Sequence, residues 1–486
     1  MNYGETSTDS RLITTEAKQQ KRIRMKNKAL LLLLIFNVSF GQQKTLSSSE
    51  YWQIVQNFHP IVKQTLIEIK QSDASLTIAR GAFDPILEHY STQKTLDGKN
   101  YIDYHAPSLS IPTWYGIEFN AGIENIRGTR LDPSQTFGQT SYIGVQIPLA
   151  KNLLMDKRRA VLQQAKILQK MALQDQRTEL NKLLLDAMES YISWVRSYQA
   201  WQLVQANYIN ASKRLEFVKK SVEFGDRPAI DTLEALTQKQ TFENMLTTKV
   251  LELANARIGL SAYLWNVESN PVDLAEDVIP TPNDVVNLLA NADLNLQSLI
   301  DKAMQNHPEL NNYRNKLAIL GIEKRLKFQS LLPKFDLSYN HLSRGGPSLM
   351  GASFLENNYI YGVKFELPLR LSEGRGAYQA AKLKIENEQL NLNQKQVQVE
   401  IKIRNYFNQF EALQKQIQTQ QLAYTNFQSL VKAEEQRFDN GESSLFLINS
   451  REMKSLEAAE KLVDLKAYLQ KTTFALQASA GILYEN

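Results

Sequence analysis

Residues 180–201 read LNKLLLDAMESYISWVRSYQAW, with Leu180, Leu184, Ala187, Tyr191, Trp194, Tyr198 and Trp201 spaced by alternating steps of four and three. A strand would repeat every two residues. Steps of four and three instead place all seven on one seam of a helix that packs lengthwise against other helices. A second stripe follows the same spacing through Ile403, Tyr406, Phe410, Leu413, Ile417, Tyr424, Phe427 and Val431, with Gln420 at one seam position. The first helical segment extends from Leu149 to about Lys220. At 1.5 Å per residue that is about 100 Å, longer than a compact domain accommodates. The aromatic stripe Tyr191/Trp194/Tyr198/Trp201 is read as core, not as a ligand box. The expected architecture is an elongated bundle or tube.

Landmarks on either side of these stripes recur in one order, as expected of two copies of one plan. Asn57-Phe58-His59-Pro60 returns as Asn306-His307-Pro308, each opening a helical stretch. Residues 142–149, YIGVQIPL, return as residues 362–369, GVKFELPL, each feeding a long helical segment. Phe224-Gly225-Asp226 and Asn440-Gly441-Glu442 interrupt those segments at similar distances. The expected division is a leader over 1–41, a first repeat over 42–265, a linker over 266–295 (Pro271, Pro280, Pro282) and a second repeat over 296–486.

Between the helices the period changes to two. Tyr359, Tyr361, Val363, Phe365 and Leu367 alternate with Ile360, Gly362, Lys364 and Glu366. Phe335, Leu337 and Tyr339 alternate with Asp336, Ser338 and Asn340, and Tyr115, Ile117, Phe119, Ala121 and Ile123 alternate with polar or small residues. Each such strand has one apolar and one polar face. That suits a membrane barrel with a wet lumen, and equally a half-buried soluble sheet. In the first repeat, 86–93, 115–125 and 140–148 all qualify, but an even number of crossings is required. Two crossings per repeat are therefore expected, with residues near 94–113 and 126–138 in or near extracellular loops.

The N-terminus reads as an export signal. Lys21, Arg22, Arg24, Lys26 and Lys28 precede the apolar run Ala29–Phe36, and Ser39-Phe40-Gly41 supplies small residues at a cleavage site. Met25 is a plausible start. The chain has 486 residues and a net charge of +5, of which residues 1–41 carry +4 (seven basic, three acidic), so the remainder is near neutral. Nucleic-acid binding loses its main support. Zero cysteines exclude disulfides, thiolate metal sites, Cys nucleophiles and a cysteine-borne lipid anchor.

The whole mature chain resembles the TolC-like outer membrane efflux protein family. The resemblance rests on the duplicated helix–strand–strand–long helix–hairpin order, the junctions at Pro148-Leu149 and Pro368-Leu369, and the two glycine hairpins. It implies a mainly α fold with a β-barrel part: a homotrimer in which each chain gives four strands to a shared twelve-stranded barrel and long helices to a periplasmic tube. It also implies the outer membrane of a Gram-negative bacterium, a periplasmic adaptor protein and an inner-membrane transporter as partners, and passive transport. The tip hairpins, with Gly225, Asp226, Gly441 and Glu442, would meet the adaptor. Asp231, six residues after Gly225, matches the position of an aperture aspartate, with Arg227 and Glu234 near enough to form salt links. Repeated around a three-fold axis, Asp231 would form a carboxylate ring that favours cations. Around Gly441 the charges are missing: Phe438, Ser443, Leu447 and Ser450 stand at those spacings, with Arg451 one residue beyond. A charged lock is thus left to the first repeat, beside the alternative that these are solvated hairpin residues.

No enzymatic chemistry is legible. His59, His89, His105, His307 and His341 show no metal spacing. His59 and His307 precede Pro at helix starts, Gly374-Arg375-Gly376 lacks a phosphate-binding loop, and Glu434-Glu435 reads as a solvated helix face. No cofactor and no metal are expected. The competing reading is a soluble periplasmic coiled-coil scaffold or adaptor protein, which needs neither a lipid-facing band nor a trimer.

Overall fold

The computed structural model describes residues 44–129, 138–281, 295–344 and 357–485. The leader, its cleavage site and Met25 lie outside the described residues, as do residues 282–294 of the expected linker. Two compact units are present. The smaller, Met1–Leu46 with Ala275–Ile279, holds a short strand pairing in which Ile279 N–H donates to Lys44 O at 3.0 Å and Lys44 faces Asp277 at 3.4 Å. All other elements belong to the larger unit, Ser47–Leu274 with Pro280–Asn486.

In the larger unit the chain runs α1 (Ser48–Phe58), α2 (Pro60–Gly81), β1 (Ile86–Leu96), β2 (Lys99–Pro112), β3 (Glu118–Arg127), β4 (Gln139–Pro148), α3 (Lys157–Glu223) and α4 (Ala229–Ser261). The chain continues with α5 (Leu296–Asn306), α6 (Pro308–Phe328), β5 (Lys334–Arg344), β6 (Tyr359–Glu366), α7 (Ser372–Asp439) and α8 (Leu445–Ser479), the same element order with two strands in place of four. Local chemistry sets the boundaries. Ser47 and Glu50 form a reciprocal capping box at the start of α1. Pro60 and Pro308 take first-turn positions, where a missing N–H costs nothing. The imidazole Nδ1 of His59 accepts from Ile61 N–H at 3.3 Å, so this histidine is the cap its position predicted.

The long helix begins at Lys157, eight residues later than its expected start at Leu149. Asp156 supplies the reason: its carboxylate accepts from Arg159 N–H at 2.8 Å and fixes the first turn there. The Arg159 side chain reaches the carbonyls of Tyr115 (3.3 Å) and Leu153 (3.0 Å), tying the β2–β3 turn to the helix start. That turn also takes Tyr115 and Gly116 (φ +85°) out of the expected strand, which starts at Glu118. The aromatic stripe is buried where it matters: Tyr191 and Trp194 are at most 1% exposed, and Tyr51 stacks on Tyr191 at 5.4 Å. Gln420, the polar seam residue, donates to Ala458 O at 2.9 Å, satisfying itself against the neighbouring helix.

The sheet is antiparallel with order β1-β2-β3-β4-β5-β6, six strands where four were expected. Residues 99–112, expected in a loop, form β2 and pair with β3 from Pro112↔Glu118 to Asp103↔Arg127. Residues 86–93, expected as a strand, begin β1; its partner β2 was hidden because it lacks clean alternation over most of its length. The hairpin's signal is Asp97-Gly98, with φ +51° and +69°, a two-residue turn whose twist matches the strands it joins. Register pairs define the faces. Leu87, Leu109, Ala121, Ile143, His341 and Tyr359 form one row across all six strands, and Ile86, Ser110, Asn120, Gly144, Asn340 and Ile360 the adjacent one. The first face is mostly apolar and solvent-facing within one chain: Phe119, Ile143, Tyr361, Val363 and Phe365 are each 46–67% exposed. Among the described residues no helix is long and apolar enough to cross a membrane.

Candidate functional site

The two hairpins close identically. Gly225 (φ +80°) and Gly441 (φ +76°) each take the left-handed conformation just past a helix end. Asp226 N–H donates to Ser221 O and Glu442 N–H to Arg437 O, both five residues back, while each glycine N–H bonds three residues back. This is a glycine-terminated cap, in which a Cβ would strain the backbone. Because both hairpins turn the same way, distance from the glycine gives a common axial level on all four helices.

That level brings the first-repeat residues onto the second repeat. Arg227 lies 3.5 Å from Asp231, its guanidinium carbon sits 3.7 Å from the centroid of the Phe438 ring, and its Nη2 donates to Phe438 O at 3.4 Å. Phe438 is 4% exposed, in a cluster with Leu215, Val218, Ala235, Leu445 and Ile448. A planar cation over a desolvated aromatic face is a favourable contact, worth up to about 2 kcal/mol. Asp231, Arg227 and Phe438 therefore form one group that bridges the hairpins. Glu234 stands beside it: burial and the nearby Asp231 carboxylate raise its pKa, opposed by a hydrogen bond from Asn449.

Ser443 does not join that group. Its hydroxyl donates to Glu434, which is 6% exposed and also meets Arg437 at 3.6 Å and Arg451 at 3.9 Å. The second hairpin thus has its own charged centre, built on a buried glutamate instead of an aspartate. The reading of Glu434-Glu435 as a solvated face is corrected: Glu434 is enclosed, and Glu435 reaches Arg214 at 3.6 Å. The spacing held the signal: Glu434 continues the α7 seam, three residues after Val431 and four before Phe438, and so faces the packed side.

A third group sits one level further from the tip. Arg214 clamps Glu452 through both guanidinium nitrogens, one at 2.6 Å, with side chains 14% and 8% exposed. Burial lowers the Arg214 pKa less than the bonds and charge of Glu452 raise it, so the guanidinium stays charged. Sequence reasoning missed this pair although a signal existed: Arg214 lies eleven residues before Gly225, and Glu452 eleven residues after Gly441. Equal distances from equivalent turns put them face to face. Also missed were Phe224, Ile230 and Phe446, large apolar side chains that are 64–79% exposed around the two turns.

The sequence pattern of the outer membrane efflux protein family matches residues 299–482, from within α5 to past the end of α8. That match spans less than half of the chain. The same fold extends over nearly all of the rest. The outer membrane channel CmeC of Campylobacter jejuni aligns at a TM-score of 0.61 with 13% identity, covering 92% of this chain and 90% of that one. The Neisseria gonorrhoeae channel MtrE in its open state aligns at 0.62 with 12% identity, over 92% and 93%. The Vibrio cholerae outer membrane protein VceC aligns at 0.61 with 14% identity, over 89% and 95%. No curated relative matches by sequence. The fold of this chain is mainly helical with a sheet attached, and these solved channels share it.

Proposed function

We propose that this chain is the outer membrane exit duct of a tripartite efflux or type I secretion assembly. Three copies would share one barrel and one periplasmic tube, and transport would be passive, driven by an inner-membrane transporter that reaches the duct through a periplasmic adaptor. The observation that carries this reading is the separation of two unlike ends. One end is an apolar-faced sheet with unpaired edges. The other, along helices of 67 and 68 residues, is a pair of capped hairpins bridged by Arg227. A sheet with open edges cannot face lipid, so closure requires further copies. Matching lengths in the two halves (67 and 68, then 33 and 35 residues) support the reading of duplicated repeats.

The tip is the part that must open. Asp231, Arg227 and Glu234 would hold the first hairpin against the second through Phe438, while Ser443 holds Glu434 within the second. Gly225, Asp226, Gly441 and Glu442 form the turns an adaptor would meet, and the exposed Phe224, Ile230 and Phe446 give it apolar purchase. The test is the native mass of the species that detergent extracts from the outer membrane fraction, followed by planar-bilayer recording. A particle of three chains that conducts ions supports the duct. A single chain in the soluble periplasmic fraction would leave the coiled-coil scaffold reading in its place.

A further inference from the structure

We infer that the copies join through β1 of one chain and β6 of the next, closing a barrel of eighteen strands, with Glu88 opposite Lys364 across each seam. This rests on the trimeric duct proposed above and goes beyond it, because that reading fixes neither the edges nor the strand number.

The first observation is which edges are open. β3 would end a four-stranded sheet, but its outer edge is paired with β2 over its whole length. The free backbone edges belong to β1 and β6, the two ends of the strand order. All of β1 is exposed, and in β6 everything except Gly362 is. β1 belongs with the spanning strands by topology. It starts just after α2, whose end is pinned to the β2–β3 turn by Phe83 stacked on Trp114 at 4.4 Å, and its partner β2 follows β3 from end to end. Six strands alternate in direction, so β1 and β6 are antiparallel to each other, and one joins the other without reversing any strand.

The second observation is the slant of the rows. The row that includes Tyr359, the first residue of β6, exits the sheet at Leu87, the second residue of β1. β1 ascends from the helical side and β6 descends to it, so this row falls from the far end of the sheet to the near end as it crosses one chain. To stay at one membrane level, the seam must set Leu87 beside a residue at the near end of β6, which is Phe365, six residues on. Three copies then accumulate a stagger of eighteen residues over eighteen strands. A stagger equal to the strand number is the ratio that tilts strands by about 36° in a closed barrel, within the range of outer membrane barrels.

Side-chain chemistry agrees with that register. Leu87 opposite Phe365 continues the apolar face. On the inner face Glu88 comes opposite Lys364, whose nearest carboxylate within its own chain is Glu366 at 3.9 Å, both being more than 60% exposed. Tyr90 comes opposite Gly362. Within the sheet the Tyr142 ring already lies over its register partner Gly122, where a Cβ would stand 2.7 Å from the ring, so tyrosine across from glycine is a packing this barrel uses.

The chain has no cysteine, so introduced thiols report alone. Directly opposed antiparallel residues have Cα atoms near 4.5–5.5 Å, within disulfide reach. The full-length variant Leu87→Cys/Phe365→Cys, oxidised in membranes, is expected to run as a covalent trimer on a denaturing gel. Phe119→Cys/Phe365→Cys probes the alternative seam at β3, and is expected to stay monomeric. A covalent trimer from that second variant overturns the inference. If neither links but the native particle holds three chains, the seam is wrong. If the native particle is a single chain, the duct reading itself has failed. Charge reversal gives a readout independent of the thiols: Glu88→Lys should lower the trimer yield at least several-fold, and adding Lys364→Glu should restore it. A double variant no better than the single one overturns the register.

Discussion

The guanidinium carbon of Arg227, two residues past the first hairpin glycine, sits 3.7 Å from the ring centroid of Phe438, three residues before the second. One contact thus ties together two turns that are more than 200 residues apart in the chain. Arg227→Gln removes the cation and should raise mean single-channel conductance in planar bilayers, as should Phe438→Leu. The two effects should not add, because each variant breaks the same contact; the coupling in a double-mutant cycle is expected to be about 1–2 kcal/mol. Independent, additive effects would show that the contact does not hold the tip.

Asp231 pairs with Arg227 at 3.5 Å and would repeat three times around the axis of a trimer. Asp231→Ala should reduce block by divalent cations, because a carboxylate ring attracts them. Identical block with and without the substitution would remove Asp231 from the constriction.

Glu234 gives the tip a pH dependence of definite sign. Burial first, then repulsion from Asp231, raise its pKa, against the Asn449 hydrogen bond. A raised carboxyl pKa favours the neutral form in the closed tip, so its stabilising contribution is present at low pH and is lost as pH rises through the raised value. Acidification from neutral toward the ordinary glutamate range should therefore reduce mean conductance, and Glu234→Gln should flatten that response. A variant that keeps the full response would place its origin elsewhere.

Arg214 and Glu452 are nearly enclosed, so removing Arg214 leaves Glu452 charged and without that partner. Arg214→Met should destabilise the protein by about 3–5 kcal/mol in denaturant unfolding, and Arg214→Met/Glu452→Met should recover most of that loss. Failure of the double variant to recover would mean that the pair contributes more than charge compensation.

Gly225→Ala and Gly441→Ala test the caps. No atom lies within 4 Å of a Cβ at either position, so the cost is backbone conformation alone. Each should lower stability by about 1–2 kcal/mol, with asparagine milder than alanine. A much larger loss at either turn would point to a packing role for the bare Cα.

Sequence alone settled the features that short-range periodicity encodes. Steps of four and three from Leu180 to Trp201 dictated a long packed helix, because 3.6 residues per turn is a property of the backbone, not of its neighbours. Alternation from Phe335 to Tyr339 and from Tyr359 to Phe365 dictated strands with one apolar face, and Gly225 and Gly441 dictated the turns. The Arg227–Asp231 pairing lay within one helical turn and was legible too. What the tertiary structure decided depends on axial level between distant elements. Arg214 meets Glu452, Ser443 meets Glu434 and Arg227 meets Phe438 because two identically capped hairpins stand side by side, which no local pattern records. The β1–β2 hairpin was decided in the same way. Residues 86–93 were legible as a strand, but β2 is too irregular in pattern to announce itself, and it is held between β1 and β3 by backbone pairing that no side-chain pattern reveals.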